Sequence, residues 1–126
     1  MSGVTYDTGM LLAAEAHRVD AWAIHARTLA RGIAPTVPVV VLAQAWRGGP
    51  QPLLSRLLSG CTIQNVDAPD GRAAGVACAR ARTGDVVDAL VVVGALRRGD
   101  LVITSDAGDL ERLAAALGGR LAIERV

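Results

Sequence analysis

Three short segments place aspartate just past an apolar run or at the mouth of a helix. They are VTYDTG over Val4–Gly9, DVVDA over Asp85–Ala89 and TSDAGDL over Thr104–Leu110, the last with two aspartates. This pattern narrows the folds open to the chain. In an open α/β sheet, ligands collect at the carboxyl ends of the strands, so aspartates that follow separate apolar strands converge although they lie far apart in sequence. Converging carboxylates call for a hard cation.

The rest of the chain supplies the alternation such a sheet needs. Val4–Tyr6 is a brief apolar strand, and Asp7-Thr8 offers a cap for a helix from Met10 to Ala16. Asp20 is a second cap, for a helix over Ala21–Arg31 whose apolar positions have helical spacing and which Gly32 ends. Ala34–Pro38 reads as connecting loop. Val39–Trp46 fits a buried strand and a helix equally, because periodicity does not separate the two in so short an apolar run. Arg47–Pro52 is a turn, followed by a helix with Leu53, Leu54, Leu57 and Leu58 on one face and Gly60 at its end. Cys61–Val66 alternates as a strand, and Asp67–Asp70 reads as a turn. Gly71–Arg82 is a helix with small residues Ala73, Ala74, Ala77, Cys78 and Ala81 on one side.

Val86–Arg98 contains the β-prone run Val91-Val92-Val93, yet Asp85 as cap, Asp88 three residues on, and Arg97-Arg98 at the carbonyl end favour helix. Leu101–Thr104 is then a strand, Asp109–Leu117 a helix with Asp109 as its cap, and Leu121–Val126 a closing strand. This order implies α/β architecture with a mostly parallel sheet of four or five strands and helices on both faces. Right-handed crossovers put the first and penultimate strands near the centre, where Asp7 and Asp106 meet.

At 126 residues the chain has room for one core, so a single domain over 1–126 is expected. The longest apolar stretch, Val37–Ala43, is interrupted by Pro38 and is too short to span a bilayer. The N-terminus has no basic segment followed by an apolar one, so no secretory signal is expected and a cytoplasmic, soluble protein is. Cys61 and Cys78 lack both disulfide-scaffold density and zinc-site spacing and read as core filler. A net charge of +1 gives little steering toward a polyanion, so any nucleic-acid contact must be local. All 13 basic residues are arginine, and nine of the 12 acidic residues are aspartate. Aspartate favours caps and turns, which accounts for some of them without a site.

Asp7, Asp88 and Asp106 are the better metal candidates, because Asp85 and Asp109 have capping duties of their own. Like charges about 4 Å apart repel by roughly 4 kcal/mol at an effective dielectric near 20, so an unpaired cluster would weaken the fold or hold a proton. A divalent cation resolves that conflict. Magnesium fits, with manganese as the second choice, since both bind one or two carboxylates and leave positions for phosphate oxygens and water. Such a site activates water and stabilises the leaving oxygen of a phosphodiester.

These residues resemble the PIN-domain ribonucleases, and within them the VapC-type toxins of bacterial toxin–antitoxin pairs. Asp7 in YDTG matches the aspartate after the first strand of that family, Asp88 in DVVDA the aspartate followed by alanine at a helix start, and Thr104, Asp106 and Asp109 in TSDAGDL the final turn. The likeness covers nearly the whole chain. It implies a single three-layer α/β/α domain and a metal-dependent endoribonuclease acting on structured RNA such as tRNA or rRNA. It also implies neutralisation by a cognate antitoxin, and homodimerisation.

The chain departs from the pattern at one station. The glutamate expected after the proline-containing loop is absent from VPVVVLAQAWRGG, and the polar residue there is Gln44, a neutral group that offers a carbonyl oxygen but no carboxylate base. The expected site is thus Asp7, Asp88 and Asp106 on the metal, with Asp85 and Asp109 orienting its surroundings. Gln44 joins that supporting shell, and Thr8 and Thr104 bond the carboxylates or the phosphate. Arg47 is the arginine best suited to RNA, although a solvated turn or helix C-cap role explains it better.

His17 and His25 lie in the N-terminal helices, away from the strand ends, and Trp22 and Trp46 are too few to form a stacking platform. A haloacid-dehalogenase-type phosphatase is excluded because Gly9 stands where its second aspartate belongs, and a phospho-receiver domain because the chain contains no lysine. The rival from another class is a catalytically weak or inactive PIN-like module that binds RNA or a protein, suggested by Gln44.

Overall fold

The computed structural model describes residues 3–126. Met1 and Ser2, part of the expected domain, lie outside the described residues. Within them the strands are β1 (Val4–Tyr6), β2 (Thr36–Pro38), β3 (Thr62–Gln64), β4 (Leu101–Thr104) and β5 (Ala122–Arg125). They form one sheet in the order β3-β2-β1-β4-β5, every pair parallel. The helices are α1 (Thr8–Glu15), α2 (Val19–Ala30), α3 (Val39–Ala45), α4 (Pro52–Ser59), α5 (Ala68–Ala81), α6 (Val86–Arg98) and α7 (Ala107–Ala116).

From β1 the chain builds outward through β2 to β3, then crosses to β4 on the other side of β1. The central pair β1–β4 is therefore the topological switch point, where the carboxyl ends open into a crevice. Right-handed crossovers put α1–α4 on one face and α5–α7 on the other. The packing agrees, since α1 contacts α2, α3 and α4, while α5, α6 and α7 contact one another. Side chains alternate accordingly. Tyr6 turns toward α2, where its hydroxyl meets His25 Nδ1 at 2.8 Å, and Thr5 turns toward α6, where it meets Arg98 at 3.0 Å. This is the expected three-layer α/β/α arrangement, with a sheet of five strands that is wholly parallel.

The core is built from fully buried Tyr6, Met10, Leu11, Leu54, Leu57, Val91, Val92 and Leu110, among others. Leu54 and Leu57 are the innermost of the four leucines on α4, and Ala74, Ala77 and Cys78 line the buried side of α5. Both cysteines are free. Among the described residues no helix is long and apolar enough to cross a membrane.

Four local expectations are corrected, and the open choice at Val39–Trp46 is settled. Ala34–Pro38 is not all loop, because Thr36–Pro38 forms β2, whose backbone is paired with β1 and β3 on its two sides. Pro38 then ends the strand and occupies the N-cap position of α3, which resolves Val39–Ala45 as helix, with Val41 and Ala45 buried one turn apart. Asp20 is not a cap. Arg18 holds that position, and Asp20 lies in the first turn of α2, paired with Arg18 at 2.5 Å. Asp67–Asp70 opens α5 instead of forming a free turn, with the Asp67 carboxylate accepting from the Asp70 amide at 3.0 Å and Pro69 in the first turn, where a missing N–H costs nothing. Finally, α7 begins at Ala107, so Asp106 and not Asp109 stands at its N-cap position.

Candidate metal centre

Three aspartates hold N-cap positions around the crevice, and only one of them caps. Asp85 Oδ1 accepts from the Asp88 amide at 3.2 Å, whereas neither Asp7 nor Asp106 makes a side-chain cap bond to its helix. The cap that would account for Asp7 is therefore not made.

The pairing of β1 with β4 fixes the position of Asp7. Tyr6 is in register with Ile103, and the Asp7 amide donates to the Ile103 carbonyl at 3.0 Å, which sets Asp7 beside Thr104. The buried Thr104 hydroxyl donates to Asp7 Oδ2 at 2.8 Å and accepts from the Asp106 amide at 2.9 Å. One hydroxyl thus ties together the ends of both central strands.

Gly9 lets the two sides approach. A Cβ there would lie 2.0 Å from Ser105 Oγ and 2.9 Å from the Ser105 amide nitrogen, so any side chain would push the first turn of α1 off the loop that carries Asp106. The sequence reading missed this role. Its only trace is a glycine two residues past the first aspartate, where the helix-forming run has already begun.

Asp88, Asp106 and Asp109 each offer a carboxylate oxygen to a group whose members all lie within 4.8 Å of one another. Asp88 is half-buried at the start of α6, Asp106 exposed and Asp109 half-buried at the start of α7. Asp109 also pairs with Arg112 one turn on. Burial, with the charges of Asp7 and Asp85 and a hydrogen bond from Asp85, pushes the Asp88 carboxyl up to about 7. Asp106 is raised first by its carboxyl neighbour Asp109, with slight desolvation and the negative charges of Asp109 and Asp7 adding to the rise. Asp7 is raised by burial, opposed by the Thr104 hydroxyl, with the Asp85 charge adding to the rise. Asp7, Asp85, Asp106 and Asp109 each raise a neighbouring carboxyl, so the site is short of positive charge.

The remaining expected residues divide. The Thr8 hydroxyl donates to Gln44 Oε1 at 2.6 Å, which brings α3 against the first turn of α1 and Gln44 to the rim of the crevice. Arg47 is used locally. Its guanidinium meets the carbonyls of Trp46 at 2.8 Å and Ala43 at 3.4 Å, closing the end of α3. His25 is buried against Tyr6, with Trp22 edge-on to its ring and Arg56 over the indole, all on the α2 side of the sheet and apart from the carboxylates.

The donors present suit a hard divalent ion. All are oxygens, and Asp7 Oδ1 is buried with no hydrogen-bond partner among the described residues. An orphaned carboxylate oxygen is costly to bury unless a cation completes it.

No protein-family model and no curated protein matches the chain. Solved structures do. VapBC2 from Rickettsia felis, bound to a DNA fragment from their promoter, is 17% identical with a TM-score of 0.74, over 98% of each chain. DNA-bound VapBC from Salmonella typhimurium is 18% identical with a TM-score of 0.69, over 99% of this chain and 98% of that one. The chain has a PIN-like fold. FitAB bound to a DNA fragment shares it as well, at 15% identity and a TM-score of 0.62, over 97% of this chain and 94% of that one. At such identities the likeness is one of fold, and the chemistry of this PIN-like domain rests on its own carboxylates.

Proposed function

We propose that this chain is a magnesium-dependent endoribonuclease, the toxin of a type II toxin–antitoxin pair, hydrolysing phosphodiester bonds in structured RNA of the tRNA or rRNA class. One observation carries the reading: Asp7 Oδ1 is buried without a partner among the described residues, and the charge of Asp7 bears on Asp88 and Asp106, which with Asp109 offer carboxylate oxygens within 4.8 Å of one another. Folding alone gives no reason to collect them there.

Asp7, Asp88 and Asp106 are the residues we assign to the metal and to catalysis, with Asp85, Asp109, Thr8 and Thr104 in support and Gln44 at the rim. Magnesium or manganese, when bound, would neutralise this charge, acidify a water and polarise the phosphate. The chain's own part is positional and protonic. Thr104 fixes the Asp7 carboxylate by donating to Oδ2, which leaves Oδ1 as the oxygen for the cation. Asp85 holds the first turn of α6 and so the height of Asp88. With its carboxyl pushed up to about 7 by burial and its acidic neighbours, Asp88 gives up a proton near neutrality as a cation enters.

The antitoxin partner, a homodimer and a cytoplasmic setting belong to the same proposal, as does the assignment of the whole chain, 1–126, to one domain. The solved complexes that share the fold support the antitoxin, VapBC being a pair.

The test is cleavage of a tRNA transcript in millimolar magnesium or manganese. Wild type is expected to cut, and chelator or Asp88→Asn to stop it. Equal cleavage by wild type and Asp88→Asn sinks the nuclease assignment. RNA binding without cutting in either metal would replace it with the non-catalytic PIN-like module that Gln44 suggested.

A further inference from the structure

Resting on the nuclease reading, we infer that Gln44 serves the substrate and not the metal: its amide nitrogen donates to a non-bridging oxygen of the RNA phosphate, while its carbonyl oxygen is held by Thr8. The geometry separates the two ends of the amide. Glutamine has one acceptor oxygen and two N–H donors. Oε1 is engaged by the Thr8 hydroxyl at 2.6 Å, beside Asp7 in the chain, so the side chain is oriented and its oxygen already has a proton donor. The NH2 group makes no hydrogen bond among the described residues, and the residue is exposed.

The charge around it points the same way. Every ionisable group of the cluster itself is a carboxylate, with oxygens of Asp88, Asp106 and Asp109 within 4.8 Å of one another. A phosphodiester entering this crevice meets like charge and needs donors from the protein. Arg112 is taken up by Asp109, and Arg47 by the carbonyls at the end of α3. The unengaged N–H donors of Gln44 remain, on a side chain anchored one residue from Asp7. A carboxylate at this position would supply no donor and would add to the repulsion.

Two measurements on the full chain separate the roles. They are calorimetric binding of manganese alone, and KM and kcat on a fluorogenic RNA hairpin, for wild type, Gln44→Ala and Gln44→Glu. Gln44 is exposed, and circular dichroism checks that each variant folds. We expect Gln44→Ala to bind manganese as wild type does and to raise KM about tenfold, the cost of one hydrogen bond to a charged group. Gln44→Glu should bind manganese more tightly and raise KM further.

Weakened manganese binding in Gln44→Ala would make the residue a metal ligand and overturn the inference, as would an unchanged KM in both variants or a lowered KM in Gln44→Glu. If wild type itself fails to cleave the hairpin, the nuclease reading falls and takes this inference with it. The wild-type measurement alone reports that case.

Discussion

Two aspartates in this molecule are equally removed from water, each 4% exposed, and the fold treats them in opposite ways. Asp100 lies just before β4 on the α6 side of the sheet. Its Oδ2 receives the Thr5 hydroxyl at 2.8 Å and Arg98 Nε at 2.9 Å, and the same guanidinium reaches Thr5 and Gln64. Asp7 lies at the far end of the neighbouring strand, receives one hydroxyl, keeps one oxygen without a partner and faces further carboxylates. A buried charge is tolerated when it is paired and hydrogen-bonded, and is unfavourable otherwise. Asp100 is thus explained by the fold, and Asp7 is present in spite of it. Residues of the second kind are where function is to be sought.

The contrast can be broken most forcefully through activity. Asp7→Asn should lower RNA cleavage by roughly a thousandfold, about 4 kcal/mol of transition-state stabilisation, in a gel assay with excess magnesium, while leaving a folded protein. Cleavage within a few-fold of wild type would mean that the orphaned oxygen does nothing. The opposite signature belongs to Asp100. Asp100→Ala leaves Arg98 partly buried without its carboxylate and should cost about 3 kcal/mol in urea unfolding, with little change in activity per folded molecule.

Magnesium sharpens the difference. If it binds only the folded cluster, a hundredfold excess over its dissociation constant should stabilise wild type by about 2.7 kcal/mol and Asp7→Asn by much less. An equal rise in melting temperature for both would place the ion elsewhere.

The last contrast is that of pH in chelator. Asp7, Asp88 and Asp106 all have folded values raised above their unfolded ones, so the native state holds more protons. Their contribution is fully present below the unfolded carboxylate range, near about 4, and is lost as pH rises through about 7. Melting temperature should decline across that window in wild type and flatten in Asp88→Asn. An unchanged slope in the variant would remove Asp88 from the coupled set.

Much of this architecture is legible in the residues. β1, β4 and the helices at their ends follow from apolar runs closed by aspartate, and α6 is legible as helix against the propensity of its three valines because Asp85 and Arg97-Arg98 mark its two ends. The failures share a cause. Thr36–Pro38 is too short for periodicity and ends in a residue that suggests loop, and only pairing on both sides makes it a strand. Val39–Ala45 became legible once Pro38 was seen at its cap. The register at the start of α7 slipped because TSDAGDL offers two aspartates as caps and local chemistry does not rank them. The closeness of Gly9 to Ser105 and the unpartnered oxygen of Asp7 are facts of tertiary packing, with no signature in either segment taken alone.

Three helices begin at the crevice, α1 after Asp7, α6 after Asp85 and α7 after Asp106, and each brings the positive end of its backbone dipole to the carboxylates. Each such terminus amounts to about half a positive charge and stabilises a nearby anion by roughly 0.3–1 kcal/mol. Together the three macrodipoles offset part of the repulsion before any ion arrives. The chain can therefore fold with its acidic crevice assembled, and the residual negative field, smaller than a count of aspartates suggests, is what remains to attract a cation.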